Sequence, residues 1–366
     1  MKILLTTGIF PPEVGGPATY SALMQKELSK RGISVTILPF REVRHLPRWI
    51  RHFVFFCKVI SLGRKMDLLY SQDPLSVGFP TMLASKLLGK PFIVRIAGDY
   101  AWEQATQRFQ VTDSIDDFQK KTYGFQTELM RIIQKCTARM AHVVINPSQY
   151  FRNLVADWVP GKVNAMAIYN GIDFSEIAKN QTRYQPRTLI SAGRLLPWKG
   201  FDTLIRVMAR LPDWKLYIAG DGPERDRLEQ LVKVSNIFGR VVFFGNIPRL
   251  DLLKKIQECE IFILNTTFES FSFQVVEAMY AGTPVITTNI GNLREIIEDG
   301  AEGVLVSPNN EQMIINAIEK IHNDKTFREQ IIKNALKKSE SFSIESTVEK
   351  TVEVMMNVVK NQNLVI

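Results

Sequence analysis

Cysteine and histidine are both scarce in this chain. The 366 residues include three cysteines, Cys57, Cys136 and Cys259, an odd and scattered set that builds no disulfide framework. The four histidines form no paired motif. The sequence therefore predicts a protein of a reducing compartment that needs no metal and no cofactor.

Long apolar runs are missing as well. No window approaches the 18 uninterrupted apolar residues of a spanning helix, and Met1-Lys2 leads directly into a strand without an apolar region of signal-peptide length. We expect a cytoplasmic protein that touches, at most, the inner face of a membrane.

Positive charge is confined to one half of the chain. Residues 1–182 carry 23 Lys and Arg against 14 Asp and Glu, whereas residues 183–366 carry 23 of each. A basic first half beside a neutral second half favours an anionic partner for the first, such as a phospholipid surface or a phosphorylated acceptor. Nothing indicates nucleic acid.

Strand patterns alternate with helical patterns along both halves. Strands separated by helices predict parallel, doubly wound sheets, so the fold class is α/β with two tandem Rossmann-like domains and an interdomain cleft. The expected strands of the first half are 3–6, 34–38, 67–70, 92–96, 142–145 and 165–168, and those of the second are 187–191, 215–219, 241–244, 261–264, 284–286 and 303–306.

The predicted division follows from this pattern. Residues 1–178 form the first predicted domain, residues 179–186 a polar linker, and residues 187–342 the second domain. Residues 343–366 continue as a helix that crosses back to the first domain.

The segment Phe268–Ile286 joins a strand to a helix and then to a second strand. Glu269 lies in the loop, and Glu277 lies about five residues into the helix, or roughly 7.5 Å along its axis. The backbone N–H groups of Ser270, Phe271 and Ser272 lie at the positive end of the helix dipole, a place for a phosphate or diphosphate. Two acceptors flanking an anion site suit a nucleotide-diphosphate sugar.

Two loops of the first half are further candidates. Gly15 and Gly16 precede a helix, where they allow either a close approach to phosphate or a plain tight turn. Ligands bind beyond the carboxyl ends of parallel strands, so Asp99, Tyr100 and Trp102 after strand 92–96 are candidates for the acceptor.

Residues Arg41–Lys65 hold seven Arg or Lys and one acid, with apolar residues at helical spacing. Such a helix either lies in an anionic membrane interface or packs on the sheet with its arginines in water.

Cations follow the first strand of the second half. Gly193 and Arg194 come directly after the strand, and Lys199 ends the same loop. In the absence of a metal, a leaving diphosphate is stabilised by fixed cations and helix N-termini, which these residues and the Phe268–Ile286 loop would supply.

Five motifs in order now resemble one family. They are G-G-P at 15–17, N-G-I-D at 170–173, G-R-L-L-P-W-K-G at 193–200, G-D-G-P at 220–223, and E-x7-E at 269–277 followed by A-G-T-P-V-I. Together they resemble glycosyltransferase family 4, whose members are retaining enzymes of the GT-B fold.

The resemblance implies metal-independent transfer of a sugar from a nucleotide-diphosphate donor to a glycan or lipid-linked acceptor. It implies that residues 1–178 form an acceptor-binding domain and that residues 187–342 form a nucleotide-sugar-binding domain. It implies that Arg194 and Lys199 hold the diphosphate, together with the backbone at Gly16 and around Phe271–Phe273. The donor sugar falls to Glu269 and the ribose to Glu277. The nucleotide side is lined by three more residues, namely Asp221, Gly222 and Ile247.

Two departures from the family pattern bear on specificity. Many members carry a histidine where this chain has Ala97 or a neighbour, and Asp99 is the candidate to replace it as a catalytic residue. The family loop E-G-F-G or E-G-F-P is here E-S-F-S at 269–272. The identity of the donor sugar therefore cannot be inferred from that of a relative.

Three alternatives remain open at this point. Glu269 and Glu277 would serve as a glycosidase pair if they faced each other across a sugar about 5–9.5 Å apart. A sugar-nucleotide epimerase needs the same diphosphate clamp. A non-catalytic sugar-nucleotide-binding subunit would keep the fold alone.

Overall fold

A computed structural model of the chain describes residues 1–13, 15–175, 177 and 184–363, without the side chains of residues 48, 49, 362 and 363. It divides into two compact units. Unit 1 comprises Met1–Gly171 together with the segment from Ile344 onward, and unit 2 comprises Ile172–Ser343. The predicted linker, residues 179–186, lies partly outside the described residues, and the division itself falls earlier, after Gly171.

Unit 1 is built on a parallel sheet of six strands in the order β2-β1-β3-β4-β5-β6. The strands are β1 (Lys2–Thr7), β2 (Ser34–Pro39), β3 (Leu68–Ser71), β4 (Phe92–Arg95), β5 (Val143–Asn146) and β6 (Ala165–Ala167). The helices between them are α1 (Gly16–Lys30), α2 (Arg48–Gly63), α3 (Gly78–Leu88), α4 (Tyr100–Phe109), α5 (Ile115–Phe118), α6 (Phe125–Met140) and α7 (Gln149–Ala156).

Unit 2 repeats this arrangement with a second parallel sheet in the order β12-β11-β10-β7-β8-β9. Its strands are β7 (Gln185–Ala192), β8 (Lys215–Ala219), β9 (Val241–Gly245), β10 (Cys259–Leu264), β11 (Val285–Thr288) and β12 (Val304–Val306). The helices are α8 (Phe201–Arg210), α9 (Arg225–Val234), α10 (Arg249–Glu258), α11 (Phe273–Tyr280), α12 (Leu293–Ile296), α13 (Glu311–Asn323) and α14 (Lys325–Ser339), and a last helix, α15 (Ile344–Asn363), belongs to unit 1.

The sheets are buried on both faces, which is why their strands are continuous apolar runs rather than alternating ones. Every residue of β3, β4, β5 and β10 is buried. In unit 1, Ile3 and Leu5 share a core cluster with residues of α1 and α15, whereas Leu4 alternates with them and faces the opposite side. That opposite side carries α2, α3 and α6, which pack side by side.

The carboxyl ends of the central strands position the site. In unit 2, the chain runs from β7 outward through β8 to β9 and then returns to β10 on the other side of β7. This reversal between β7 and β10 is a topological switch point, where open α/β sheets bind ligands. Within the described residues, no helix is long and apolar enough to cross a membrane.

Candidate functional site

The loop that follows β7 carries the predicted cations of unit 2. Gly193 has a φ of 153°, and its N–H donates to the carbonyl of Ala219 over 2.9 Å. Arg194 comes next and is exposed, and its guanidinium has no hydrogen bond or ion pair with any residue that the structure describes. An exposed cation beside a sheet edge is available to an anionic ligand.

Lys199 closes this loop and meets a carboxylate. It ends a 3₁₀ turn, Pro197–Lys199, and its Nζ donates to Glu269 Oε2 over 2.5 Å, with 14% of each side chain exposed. Glu269 lies in the loop after β10. The pair therefore joins the loops that follow β7 and β10, the two strands that flank the switch point.

Backbone contacts hold the two loops together. The N–H of Thr267 donates to the carbonyl of Trp198 over 2.8 Å, and Asn265 Nδ2 donates to the carbonyl of Gly200 over 3.0 Å. A Cβ on Gly200, whose φ is 58°, would lie 2.3 Å from the carbonyl oxygen of Asn265. Only glycine permits this approach, so the geometry of the Lys199–Glu269 pair is set by the backbone.

Asn265 is a positioning residue that the sequence analysis missed. It is buried, and its Oδ1 accepts from the N–H of Asn309 over 3.0 Å while its Nδ2 also contacts Asn309 Oδ1 over 3.1 Å. The side chain thus connects the loops after β7, β10 and β12. Its position at the carboxyl end of the predicted strand 261–264 was the available signal, since polar side chains there face the ligand edge.

The N-terminus of α11 contributes backbone donors. Ser272 is its N-cap, and the hydroxyl accepts from the N–H of Val275 over 3.3 Å. Ser272 is fully buried and Phe271 is buried, whereas Ser270 and Phe273 are partly exposed. The first N–H groups of a helix have no partner within the helix and form a natural anion site. Those groups belong to Phe273 and its successor, at the end of the predicted 271–273 cradle.

Glu277 lies deeper and has a different partner. It is buried, and Arg249 Nε donates to its Oε1 over 2.7 Å. Burial raises the pKa of the Glu277 carboxyl above its ordinary value, while the Arg249 charge and hydrogen bond pull the pKa down. Arg249 Nη2 also donates to the carbonyl of Asp173 over 3.1 Å. Glu269 and Glu277 therefore belong to two separate ion pairs.

Arg249 was not identified from the sequence. It stands 28 residues before Glu277, outside every motif, and only the fold brings the two together. One signal existed: Arg249 opens α10, and a cation in the first turn of a helix opposes the helix dipole. An acidic partner nearby removes that conflict.

The nucleotide-side candidates lie at the ends of β8 and β9. The carbonyl of Asp221 accepts from the N–H of Leu195 over 3.0 Å, so this loop packs against the Arg194 loop. A Cβ on Gly220 would lie 2.0 Å from the carbonyl oxygen of Gly193, and one on Gly222 would lie 2.4 Å from that of Leu195. Ile247 is partly buried between β9 and α10. All these candidates thus share the carboxyl edge of β10-β7-β8-β9.

The glycine pair of unit 1 stands at a helix entrance, as expected. Gly15 is the N-cap of α1 with a φ of 154°, and a Cβ there would lie 2.8 Å from Ile9 Cδ1. Gly16 is the exposed first residue of the helix, and Pro17 follows. The tight-turn alternative accounts for Gly15, while the exposed start of α1 leaves room for a ligand at Gly16.

Asp99 requires a correction. The sequence predicted that it contacts the acceptor and replaces a catalytic histidine, but its side chain is fully buried. It is the N-cap of α4: Oδ1 accepts from the N–H of Trp102 over 3.1 Å and from Gln134 Nε2 over 2.8 Å, and Oδ2 accepts from Gln119 Nε2 over 2.9 Å. These donors occupy both oxygens, so Asp99 organises α4 and cannot also reach an acceptor in this arrangement.

The two neighbours of Asp99 differ in exposure. Trp102 is buried, and its indole N–H donates to the carbonyl of Asp113 over 2.9 Å, so it serves the fold rather than stacking on an acceptor. Tyr100 is partly exposed at the first position of α4. Of the three predicted acceptor residues, Tyr100 alone has a side chain that a ligand can touch.

The site in unit 2 has a definite chemical capacity. Two cations, Arg194 and Lys199, and the helix N-terminus of α11 lie on one sheet edge and favour a polyanion such as a diphosphate. Lys199 keeps donors beyond the one given to Glu269, and Glu269 keeps an oxygen that can accept from a hydroxyl. Among the described residues, no cluster of three or more His, Cys, Asp or Glu side chains is arranged to hold a metal ion.

Comparisons with known proteins bear on this site. The family model described as "Glycosyl transferases group 1" matches residues 173–338, which include every candidate of unit 2. An uncharacterized glycosyltransferase of Methanocaldococcus jannaschii is 34% identical over 172 residues, 46% of this chain and 44% of that protein. A second one from the same organism is 29% identical over 367 residues, covering 95% of this chain and 96% of the relative.

Solved structures give the same fold over the whole chain. Sucrose-phosphate synthase from Thermosynechococcus elongatus superposes with a TM-score of 0.84 at 19% identity, over 98% of this chain and 99% of the other. Anabaena HepE in complex with UDP-glucose superposes with a TM-score of 0.78 at 20% identity, over 98% of this chain and all of the other. At these identities the likeness shows the fold, and it confirms the predicted α/β class with two Rossmann-like units.

Proposed function

We propose that this protein is a retaining, metal-independent glycosyltransferase whose unit 2 binds a nucleotide-diphosphate sugar, because residues 173–338 match the family model of the glycosyl transferases group 1. The observation that carries the proposal is the Lys199–Glu269 pair at the switch point between β7 and β10. It supports the proposal because a lysine that can bind phosphate lies directly beside a carboxylate that can accept from sugar hydroxyls. HepE, similar in fold, was solved with UDP-glucose.

Each donor group has a proposed partner. Arg194, Lys199 and the start of α11 hold the diphosphate, and Glu269 holds hydroxyls of the donor sugar. Glu277, fixed by Arg249, accepts from the ribose hydroxyls. Asp221, Gly222 and Ile247 lie on the nucleotide side.

The proposed transfer proceeds with retention. The acceptor oxygen attacks the anomeric carbon on the face from which the diphosphate departs, and the departing phosphate takes the acceptor proton. Arg194 and Lys199 stabilise the negative charge that develops on the diphosphate. Unit 1, whose charge excess is positive, takes the acceptor, a glycan or a lipid-linked group.

The glycosidase alternative has less support. A glycosidase needs two carboxylates facing each other across a sugar, whereas Glu269 pairs with Lys199 and Glu277 is buried against Arg249. An epimerase and a non-catalytic subunit remain distinguishable by turnover.

The test is a screen of UDP-, GDP- and ADP-sugars with EDTA present. A bound donor raises the unfolding midpoint, with about 2.7 kcal/mol of stabilisation at a concentration 100 times its Kd, and an acceptor then permits transfer with retained anomeric configuration. Lys199→Ala lowers turnover by about 100-fold or more. Lys215→Ala is the matched control, because Lys215 is an exposed lysine at the amino end of β8, away from the carboxyl ends of the strands that carry the site.

The outcomes separate the candidate functions. If no nucleotide sugar stabilises the protein and none is consumed, the proposal fails. Binding without turnover indicates a non-catalytic subunit, interconversion of the donor sugar without transfer indicates an epimerase, and inversion at the anomeric carbon rules out the retaining mechanism.

A further inference from the structure

Apolar side chains are exposed on one side of unit 1 in an unusual concentration. Fourteen large apolar side chains are exposed in the part of the chain that the structure describes, and seven of them lie on α2, α3 and α6. They are Ile50 and Phe53 on α2, Leu83 and Leu87 on α3, and Phe125, Leu129 and Ile132 on α6. These three helices pack side by side.

The exposed residues follow the outward side of each helix. On α2, Phe53 and Cys57 are exposed at a spacing of four, whereas Phe55 and Val59 are fully buried against the protein. Residues three or four apart share one side of a helix, and α3 and α6 repeat this spacing with their own exposed pairs. Phe53 is 66% exposed, Leu87 69% and Phe125 80%, so each projects into solvent rather than filling a seam between helices.

Basic residues surround these apolar side chains. Residues 48–66 contain five Lys or Arg and no acid, residues 78–90 contain two and no acid, and residues 125–140 contain three and one acid. The acid, Glu128, pairs internally with Arg131, which is buried. Arg64, Lys65, Lys86 and Arg139 are exposed and have no ion pair with any described residue.

We infer that the outer surface of α2, α3 and α6 binds an anionic lipid bilayer, with its apolar side chains inserted among the acyl chains and its cations on the headgroups. An interfacial site combines an apolar side with Lys and Arg in this way. The sequence pointed to α2 alone; the structure adds α3 and α6 and so triples the number of elements that engage the membrane.

Charge argues against a second copy of the chain as the occupant. Two copies joined through this surface would bring exposed cations such as Arg64, Lys65, Lys86 and Arg139 close to the same cations of the second copy, and like charges in an interface are strongly unfavourable. A bilayer with anionic headgroups supplies the complementary charge, and it accepts protruding aromatic and branched side chains without a preformed pocket.

The test is flotation of the full-length protein with vesicles. We expect binding to phosphatidylcholine vesicles containing about 30 mol% phosphatidylglycerol, weaker binding at about 0.5 M salt, and none to pure phosphatidylcholine. The variant Phe53→Ser/Leu87→Ser/Phe125→Ser changes one exposed residue on each helix and lowers affinity by about 100-fold or more. Its circular dichroism and unfolding midpoint should match those of the wild type.

Two controls are built into the chain. Phe238 is 76% exposed but lies in unit 2, so Phe238→Ser should bind vesicles like the wild type. Lys199→Ala should also bind normally, because the surface does not depend on donor binding; failure of this inference and failure of the proposed function are therefore distinguishable.

Two native cysteines provide a second measurement. Cys57 and Cys136 are exposed on the outward sides of α2 and α6, whereas Cys259 is buried. An environment-sensitive fluorophore at Cys57 or Cys136 should shift to the blue on anionic vesicles. The same label at Phe238→Cys, in a chain with Cys57→Ser and Cys136→Ser, should not shift.

Several results would overturn the inference. These are no flotation of the wild type with anionic vesicles, normal flotation of the triple variant, or equal fluorescence shifts at position 238 and at Cys57. A wild-type dimer in sedimentation that the triple variant converts to a monomer would instead assign the surface to self-association.

Discussion

Glu269 and Glu277 belong to one motif but occupy different electrostatic settings. Glu269 shares a partly exposed pair with Lys199, where solvent and a ligand both have access. Glu277 is nearly enclosed, and its partner Arg249 is itself held by the carbonyl of Asp173. The first pair is open to exchange of partners when an anion arrives, whereas the second is a fixed acceptor.

The pH dependence of unit 2 should carry the signature of Glu277. Burial raises its folded-state pKa above the ordinary 4.5, so between 4.5 and the folded pKa the folded state binds more protons than the unfolded state. The contribution of this group to stability therefore grows as pH falls through that window and is lost as pH rises. Donor affinity should instead fall as the pH falls, because a protonated Glu277 loses its pairing with Arg249.

Urea unfolding and donor binding at pH 7 and about pH 5 check this prediction. At the lower pH, the wild type should become more stable relative to Glu277→Gln than it is at the higher pH. The loss of donor affinity at low pH should be absent from the variant. Glu258→Gln, at an exposed glutamate on α10, serves as the control. A Glu277→Gln profile that parallels the wild type would contradict the prediction.

Individual residues of this site show what could and what could not be predicted from the sequence. Lys199 and Glu269 could be assigned to the same edge of the sheet from the sequence, because each follows a recognisable strand and parallel strands share an edge, but the ion pair between them was not predicted. Arg249 could not, because its contact with Glu277 depends on how α10 lies against α11. Asp99 was assigned to the acceptor because a position directly after β4 is equally typical of a ligand-binding residue and of a helix N-cap. Only the positions of Gln119 and Gln134, which donate to its carboxylate, decide between these two roles.

At the scale of elements, the site rests on close packing between loops. The glycines at positions 200, 220 and 222 each lie where a Cβ would meet a backbone carbonyl within 2.4 Å. A side chain there separates the loops after β7, β8 and β10. The geometry of the predicted phosphate site therefore depends on these glycines as well as on its cations.

Gly220→Ala tests this dependence. Gly220 has a φ of 131°, and its Cβ would lie 2.0 Å from the carbonyl oxygen of Gly193. The variant should lower the free energy of unfolding by more than about 3 kcal/mol, since it adds a backbone clash to an unfavourable φ, and it should weaken donor binding by displacing Arg194.

Gly239→Ala is the matched variant for comparison. Gly239 also has a positive φ, 76°, but a Cβ added there would have no atom within 4 Å. It should cost about 1 kcal/mol and leave donor affinity unchanged. Equal losses in the two variants, measured by urea unfolding and donor titration, would rule out the clash as the cause.

Most elements were predictable, and their ends were less so. Each of the twelve expected strands overlaps a strand of the described residues, because sheets buried on both faces require apolar runs. The helical pattern after Gly15 and Gly16 predicts a helix from about Thr19. Helix α1 begins three residues earlier, at Gly16, because Pro17 fits the first turn of a helix. The sequence predicts a helical hairpin over residues 116–140, and the region consists of the short α5 and the long α6.

At the scale of the whole molecule, the sequence of unit 2 is inserted between two segments of unit 1. Unit 1 ends its first passage at Gly171 and resumes at Ile344, and α15 contributes Ile344, Val348, Met355 and Val358 to the core that β1, β3 and α1 share. The sequence predicted that the last helix crosses back to the first domain.

Adjacent methionines of α15 offer a direct test of this packing. Met355 is fully buried, and Met356 is exposed. Met355→Ala should lower the stability of unit 1 by about 2–5 kcal/mol through a cavity, and Met356→Ala should change it by less than about 0.5 kcal/mol. Thermal unfolding with and without donor separates the units, since donor binding stabilises unit 2. Equal effects of the two variants would show that α15 does not complete the core.

The discontinuity of unit 1 has a consequence for biosynthesis. The ribosome makes all six strands of its sheet first, then the roughly 170 residues of unit 2, and only then α15. At about 5–20 residues per second, the delay lasts about 10–35 s. Throughout it, the nascent unit 1 lacks the apolar side chains that Met355 and its neighbours contribute to its core, so this core is completed only after unit 2 has been synthesised.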